Sequence, residues 1–332
     1  MMTTWAIGTN NDPLKTTRRL LQHIWETAGL EGMLIPVYQA GGDTVKTMLI
    51  NDPNRLVDAD PFVPLMQANA GKLAAQLMRK HTHAHRAAVL RACELRALDE
   101  HIKADHLNLE NWLIIGVDCV ACFPVQDFAW RVEKTGSVEM VTRSVLRNAR
   151  QGGIAPYRFR SACQMCSHPE PSHVDMCIQL LGLPVRDTIL VEARNEILGE
   201  ELNLQKIMDG PAPAALISQR ARMLKNMDER REHARAWKIN ELPADIPENI
   251  EQLTTFLMNC QPCAKCMEAC PVHADELVPA VKSGNIPVDM MMRWLRSCAE
   301  CGMCEQACPK EMPLAVIMKR ISQDLKHEAV TA

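Results

Sequence analysis

Aromatic side chains are scarce in this sequence, 4 % of 332 residues, and only two of them are tyrosines. A core with so few rings has to be filled by aliphatic side chains and by the 20 methionines, whose flexible thioethers suit irregular packing or a subunit contact. No apolar run approaches the roughly 20 residues that a membrane-spanning helix needs. Neither sign of charge prevails: 37 Lys+Arg against 40 Asp+Glu leave a net charge of −3, which offers no footprint for nucleic acid. The first residues, Met1-Met2-Thr3-Thr4-Trp5, hold no apolar signal core, and Arg18-Arg19 is not followed by one. A cytoplasmic chain without a membrane span is therefore expected. There is no G-x-G-x-x-G and no Walker A sequence, so a standard dinucleotide or P-loop site has no motif to rest on. No Ser-His-Asp set or carboxylate pair stands out.

Fourteen cysteines stand against these absences. In a reducing compartment they are not expected as disulfides, and ligation or redox chemistry is the better reading. His81, His83 and His85 alternate in a polar stretch at an expected helix end, where cationic side chains suit the helix dipole.

The length allows two or three domains. Residues 1–200 alternate β-rich runs with helical stretches. Strands are expected at 33–37, 46–50, 87–90, 112–117 and 188–191, with amphipathic helices at 68–79 and 94–103. The order strand, helix, strand over 87–117 predicts a βαβ unit with parallel pairing, and an α/β domain on a parallel or mixed sheet. Residues 201–247 read as a charged helical arm and linker, with Asp228-Glu229-Arg230-Arg231-Glu232 as a solvated face and Pro243 and Pro247 breaking the chain. Residues 248–332 form the last domain.

That domain holds one internal repeat. Cys260-x2-Cys263-x2-Cys266-x3-Cys270-Pro271 recurs as Cys298-x2-Cys301-x2-Cys304-x3-Cys308-Pro309. A C-x2-C-x2-C run curls its backbone around three corners of a cubane, and the distant cysteine closes the other cluster. The terminal proline turns the chain away after the last ligand. Cys260, Cys263, Cys266 and Cys308 are thus expected to hold one [4Fe–4S] cluster, and Cys298, Cys301, Cys304 and Cys270 a second. Zinc also uses CxxC pairs, but two complete four-cysteine runs fit it poorly. Residues 275–283 and 287–295, between the runs, have helical periodicity. The domain therefore resembles the all-helical ferredoxin modules of heterodisulfide-reductase and succinate-dehydrogenase iron–sulfur subunits.

Six cysteines remain. Cys93 follows one expected strand and opens a helix, whose N-terminus favours a thiolate. Cys119 follows the next strand. If the strands are parallel neighbours, both thiols sit at carboxyl ends, where open α/β sheets place ligands. Cys163-Gln164-Met165-Cys166 could supply two further corners of a third cluster. Cys122 and Cys177 read more simply as small buried hydrophobes.

Arg91-Ala92-Cys93-Glu94-Leu95-Arg96-Ala97-Leu98, Glu110-Asn111, Ile114-Ile115-Gly116-Val117-Asp118-Cys119 and Arg160-Ser161-Ala162-Cys163-Gln164-Met165-Cys166 followed by Asp175 resemble the beta subunits of coenzyme F420-reducing hydrogenase and F420-linked formate dehydrogenase. Pro61-Phe62-Val63-Pro64-Leu65-Met66-Gln67-Ala68-Asn69 is similar to the formate-dehydrogenase branch. The resemblance covers most of residues 30–192. It implies FAD and at least one [4Fe–4S] cluster in this region, with a flavin that exchanges hydride with a soluble carrier (F420 or a nicotinamide) and passes single electrons to clusters. It also implies Cys93, Cys119, Cys163 and Cys166 as third-cluster ligands, with Cys122 in reserve, and Gly41, Gly42, Thr44 and Asn69 as flavin contacts. The sequence departs from the family at Ala40-Gly41-Gly42-Asp43-Thr44-Val45, which keeps only part of the flavin loop and is also a plain turn signal.

Two functions follow from these residues. One is an iron–sulfur flavoprotein subunit beside a catalytic formate dehydrogenase or hydrogenase, since the chain shows no motif for activating formate or hydrogen. The other is a flavin-free adaptor wiring larger redox enzymes, such as heterodisulfide-reductase-like subunits. A cluster-bearing sensor has little support, because two interlocked clusters suit a relay.

Overall fold

A mixed eight-stranded sheet lies at the centre of the N-terminal part, in the order β3-β2-β4-β5-β6-β7-β1-β8. The structure is a computed structural model that describes residues 3–80, 83–152, 159–260 and 263–331; His81 falls outside them. The strands are β1 (Thr3–Gly8), β2 (Gly32–Tyr38), β3 (Val45–Ile50), β4 (Arg86–Arg91), β5 (Trp112–Val117), β6 (Met176–Gln179), β7 (Thr188–Ala193) and β8 (Gly210–Pro211). Around them run α1 (Pro13–Thr27), α2 (Ala70–Met78), α3 (Ala92–Asp105), α4 (Val125–Thr135), α5 (Val138–Leu146), α6 (Ser161–Gln164) and α7 (Glu196–Glu201).

The parallel pairing expected from the βαβ pattern is present, and β2, β4, β5 and β6 form its parallel centre. Arg91 of β4 stands opposite Val117 of β5. Cys93 and Cys119, each two residues further on, therefore leave the sheet at the same edge. The outer pairs are antiparallel. Strands β1 and β6 escape the sequence pattern: β6 is four residues long and buried throughout, with no alternation to mark it.

Both faces of β4 are covered. Ala87 and Val89 join the large core beneath the sheet, while Ala88 and Leu90 pack with α2 and α3 on the other face. Those two helices approach so closely that a Cβ on Gly71 would lie 2.0 Å from the Glu94 carbonyl oxygen. Only glycine fits there. Helix α1 starts where Asp12 accepts the Lys15 N–H at 3.0 Å and Pro13 presets the first turn.

A single helix, α8 (Ala214–Asn240), leads from the sheet to the C-terminal region, spanning about 40 Å at 1.5 Å per residue. Its buried residues are Arg220, Met227 and Arg231, and most of its other charged side chains are exposed. Arg231 thereby corrects the expected solvated face: it is 2 % exposed and donates to the Cys166 carbonyl at 2.7 Å. The C-terminal region is helical, with α9 (Ile250–Asn259), α10 (Lys265–Glu268), α11 (Ala274–Lys282), α12 (Val288–Arg296), α13 (Met303–Ala307) and α14 (Leu314–Thr331). Its core gathers Leu253, Leu277, Met291, Trp294 and Ile317. Methionine takes up space here that rings fill in most cores. Among the described residues, no helix is long and apolar enough to cross a membrane.

Candidate functional site

The two C-terminal cysteine runs repeat in backbone as well as in sequence. Ala264, just after Cys263, and Gly302, just after Cys301, both adopt left-handed φ, 48° and 66°. Each bend lets the chain fold back so that the next cysteine faces the same centre, and each is followed by a short helix, α10 or α13. The electrostatic neighbours of Cys266 are Cys308, Cys260 and Cys263, so one quartet includes the last cysteine of the other run. Those of Cys304 are Cys298, Cys301 and Cys270. Burial, and then Cys308, raises the Cys266 thiol to about 11; burial, and then Cys301, raises Cys298 to about 12. Crowded buried thiols resist ionising together, and a cationic iron core would remove that penalty. Backbone N–H groups already point at sulfur, from His273 to Cys270 and from Glu300 to Cys298, both at 3.4 Å. The residues present fit a cluster's need for soft donors with hydrogen bonds to sulfur.

At the carboxyl edge of β4 and β5 a second gathering forms. Cys93, Cys119, Cys122, Cys163 and Cys166 line one cavity, and Cys301 of the C-terminal region closes it. Cys93 lies in the first turn of α3, where Arg91 donates its N–H to Glu94 at 2.8 Å. Cys119 and Cys122 bracket a left-handed Ala121 (φ 78°). The Cys122 N–H meets the Cys163 sulfur at 3.4 Å. A hydrogen bond from Cys122 and the Arg160 guanidinium bring Cys163 down to about 5 despite its burial. The structure thus brings together all four residues expected around a third centre, and adds Cys122, which reads by itself as a small hydrophobe and which the resemblance holds in reserve. Cys177 stands apart on β6, pushed well up by burial and neighboured by Asp118 and Arg220. Among the described residues, no three His, Cys, Asp or Glu side chains are set to hold a single metal ion.

Arginines surround this cavity, and nothing in their spacing announces them. Arg91, 4 % exposed, donates to the Cys122 sulfur at 2.9 Å. Arg160 and Arg231 line the cavity, and the Nε of each is buried with no hydrogen-bond partner among the described residues. Buried unpaired donors are costly, and an anionic thiolate-bound group would satisfy them.

The same side chains fasten the two parts of the chain together. Arg160 donates to the Cys301 carbonyl and, at 3.0 Å, to the Gln306 side chain. Gln306 donates to the Met66 carbonyl at 2.9 Å, and His101 to the Pro271 carbonyl at 2.8 Å. Gly302 approaches α6 so closely that a Cβ would lie 2.5 Å from that of Ala162.

Beside this junction lies a cavity of about 600 Å³, lined by Thr44, Lys46, Asn69 and Lys72 on one side and by Ala269 and Met303 on the other. That size and mixed lining suit a cofactor. Thr44 and Asn69 are expected flavin contacts and face it. Gly41 and Gly42 sit on the β2–β3 turn, at φ 95° and 73°, and are not among its lining residues. A larger cavity of about 920 Å³ lies at the opposite, amino end of β4 and β5, with Arg86 and Trp112 in its wall.

Residues 247–312 match the 4Fe-4S dicluster domain family. No curated protein matches the chain. Among solved structures, a chain of the F420-reducing [NiFe] hydrogenase complex from Methanosarcina barkeri is similar, with a TM-score of 0.47 and 10 % identity, over 72 % of this chain and 92 % of that one. The C-terminal helical region thus carries a 4Fe-4S dicluster domain.

Proposed function

We propose that the chain is an iron–sulfur flavoprotein subunit of the beta type described above, working beside a catalytic formate dehydrogenase or hydrogenase subunit. Residues 1–200 form its flavin and iron–sulfur domain, 201–247 an arm and linker, and 248–332 the two-cluster domain. The observation that carries this reading is that one junction joins three elements. The thiol-lined cavity at the sheet edge closes on Cys301, and the 600 Å³ cavity is walled by the same stretch, through Met303.

In this reading Cys260, Cys263, Cys266 and Cys308 hold one [4Fe–4S] cluster, and Cys298, Cys301, Cys304 and Cys270 hold another. Four of the five sheet-edge thiols hold a third, with Cys93, Cys119, Cys163 and Cys166 as the set carried by the resemblance. FAD in the large cavity would supply exchange between a two-electron hydride carrier and single electrons. The chain's own residues bind and orient. The side chains of Lys46 and Lys72 make no hydrogen bond or ion pair among the described residues and are available to a diphosphate. The arginines lower the cost of buried negative charge. Junction hydrogen bonds fix the distance between the two parts of the chain.

A second reading has one observation in its favour. Gly41 and Gly42 stand off the cavity, as expected of a flavin-free adaptor. Acid-released flavin, iron and sulfide per chain, measured on anaerobically prepared and reconstituted protein, separate the two. Near-stoichiometric FAD with about twelve irons supports the flavoprotein. Full iron without FAD, even when FAD is supplied, leaves the adaptor.

A further inference from the structure

We propose that helix α8, besides joining the two parts of the chain, carries Arg231 into the thiol-lined cavity so that its charge sets the reduction potential of the third centre. The inference rests on the reading that four of the five sheet-edge thiols hold a [4Fe–4S] cluster.

One stripe of this charged helix is buried. Arg220, Met227 and Arg231 follow one another at seven and four residues, which at about 100° per residue places them on one face of α8. That face is seated on the thiol site at both ends. Arg220 donates to both carboxylate oxygens of Asp118, to one of them at 2.9 Å. Asp118 also accepts the N–H groups of Leu180 and Leu181, at 2.7 and 2.8 Å, and immediately precedes Cys119. Between the two arginines, Met227 lies so near Gly152 that a Cβ there would meet its sulfur at 2.8 Å. At the far end Arg231 donates to the Cys166 carbonyl at 2.7 Å.

That one bond does not account for burying a cation. A guanidinium offers five N–H donors. Arg231 is 2 % exposed, makes a single hydrogen bond among the described residues, and has its Nε buried without a partner among them. Arg220 faces a carboxylate, whereas Arg231 has none among the described residues. A buried cation left so is unfavourable by itself. An anion in the cavity offsets the penalty, and Arg231 lines that cavity with Cys93, Cys119, Cys122, Cys163 and Cys166. A [4Fe–4S] core on four thiolates is such an anion, and more so when reduced. A fixed cation beside it favours the reduced state, so loss of the cation lowers the potential. Arg91 and Arg160 add to the same field, but each also ties down other segments, at Val63 and Leu65 or at Cys301 and Gln306. Arg231 has only the Cys166 carbonyl at stake among the described residues.

The test separates charge from hydrogen bonding. Arg231→Gln keeps a donor for the Cys166 carbonyl and removes the charge, while Arg231→Lys keeps both. Reconstituted full-length chain, wild type and each variant, would be poised electrochemically with electron-resonance detection, alongside iron and sulfide content. The double variant Cys163→Ser, Cys166→Ser marks the third centre's step by its absence. That step is expected at lower potential in Arg231→Gln, by at least tenfold in the one-electron reduction equilibrium or about 59 mV, and near the wild-type value in Arg231→Lys. The other steps and the iron content stay in place. An unmoved step in Arg231→Gln at equal iron, or movement of another cluster's step instead, overturns the proposal. If Arg231→Gln loses iron, Arg231→Lys decides. Iron and step both retained in the lysine variant support the role of the charge; a lowered step, or iron lost from both variants, overturns it. Failure of the cluster reading itself is separately visible, as wild-type protein with about eight irons and no third step.

Discussion

The Arg91 guanidinium stands 2.9 Å from the Cys122 sulfur and also donates to the carbonyls of Leu65 (3.0 Å) and Val63 (2.8 Å). Arg91 ends β4 and Cys122 follows β5, so the contact spans the two central strands at the edge where the thiols gather. Its fork ties the 63–65 segment to the thiol site with one cation. Replacing it with Met leaves two carbonyls and a sulfur unpaired in the interior and is expected to cost about 3–5 kcal/mol of stability. Arg91→Lys keeps the charge but not the fork. It is expected to lose less stability than Arg91→Met in denaturant melts, while still shifting the third centre's potential.

The fifth thiol makes a sharp prediction about ligation. Cys163→Ser with Cys166→Ser is expected to remove the third cluster, seen as about four fewer irons per chain and one missing resonance signal. Single Cys93→Ser and Cys122→Ser variants then show which thiol is spare. The ligand retains no cluster when changed, and the spare thiol leaves the iron content intact. The resemblance to beta subunits makes Cys122 the spare. An unchanged spectrum in the double variant would sink the assignment.

In the C-terminal domain, Cys263→Ala and Cys301→Ala are each expected to remove one cluster. If, as proposed, each quartet takes its last cysteine from the other run, Cys270→Ala should damage the cluster of Cys298, Cys301 and Cys304 and spare its own run. Iron counts together with resonance spectra check this. Loss of the Cys260-run cluster instead would show that the quartets are not interlocked.

Gly302→Ala tests how the two parts are held together. The new Cβ would lie 2.5 Å from that of Ala162, at a φ of 66°. The clash and the left-handed backbone together are expected to cost about 2–4 kcal/mol. The measurement is hydrogen exchange: α6 and α13 should lose protection while the central strands keep theirs. Uniform protection would mean the contact is not what fastens the domains.

Lys72→Glu places an anion in the wall of the 600 Å³ cavity. FAD binding, followed by flavin fluorescence, is expected to weaken about tenfold or more, a loss of at least about 1.4 kcal/mol. Equal affinity in wild type and variant would remove the diphosphate from this wall.

Much of the architecture is legible before any tertiary contact is considered. The strands at 33–37, 46–50, 87–90, 112–117 and 188–191 read from β-rich runs, and the structure contains each of them. The cysteine runs are legible for a different reason. Consecutive cysteines with two residues between them share one turn of backbone, so spacing alone nearly determines their geometry. By contrast, the four-residue β6 offers no periodicity, and Arg231 looks like one more charge on a charged helix. Its burial depends on where α8 crosses Cys166, which no local pattern records.

The sequence by itself determined the two repeated cysteine runs, the helical character of the region that carries them, and the parallel βαβ unit that sends Cys93 and Cys119 to one edge. Local spacing and hydrophobic period are short-range properties, and they suffice for these. Only the tertiary structure decided that Cys122 joins the thiols in one cavity and that Arg91, Arg160 and Arg231 surround them. Those pairs lie tens to hundreds of residues apart, and what brings them together is the strand order and the close packing of Gly302 on α6.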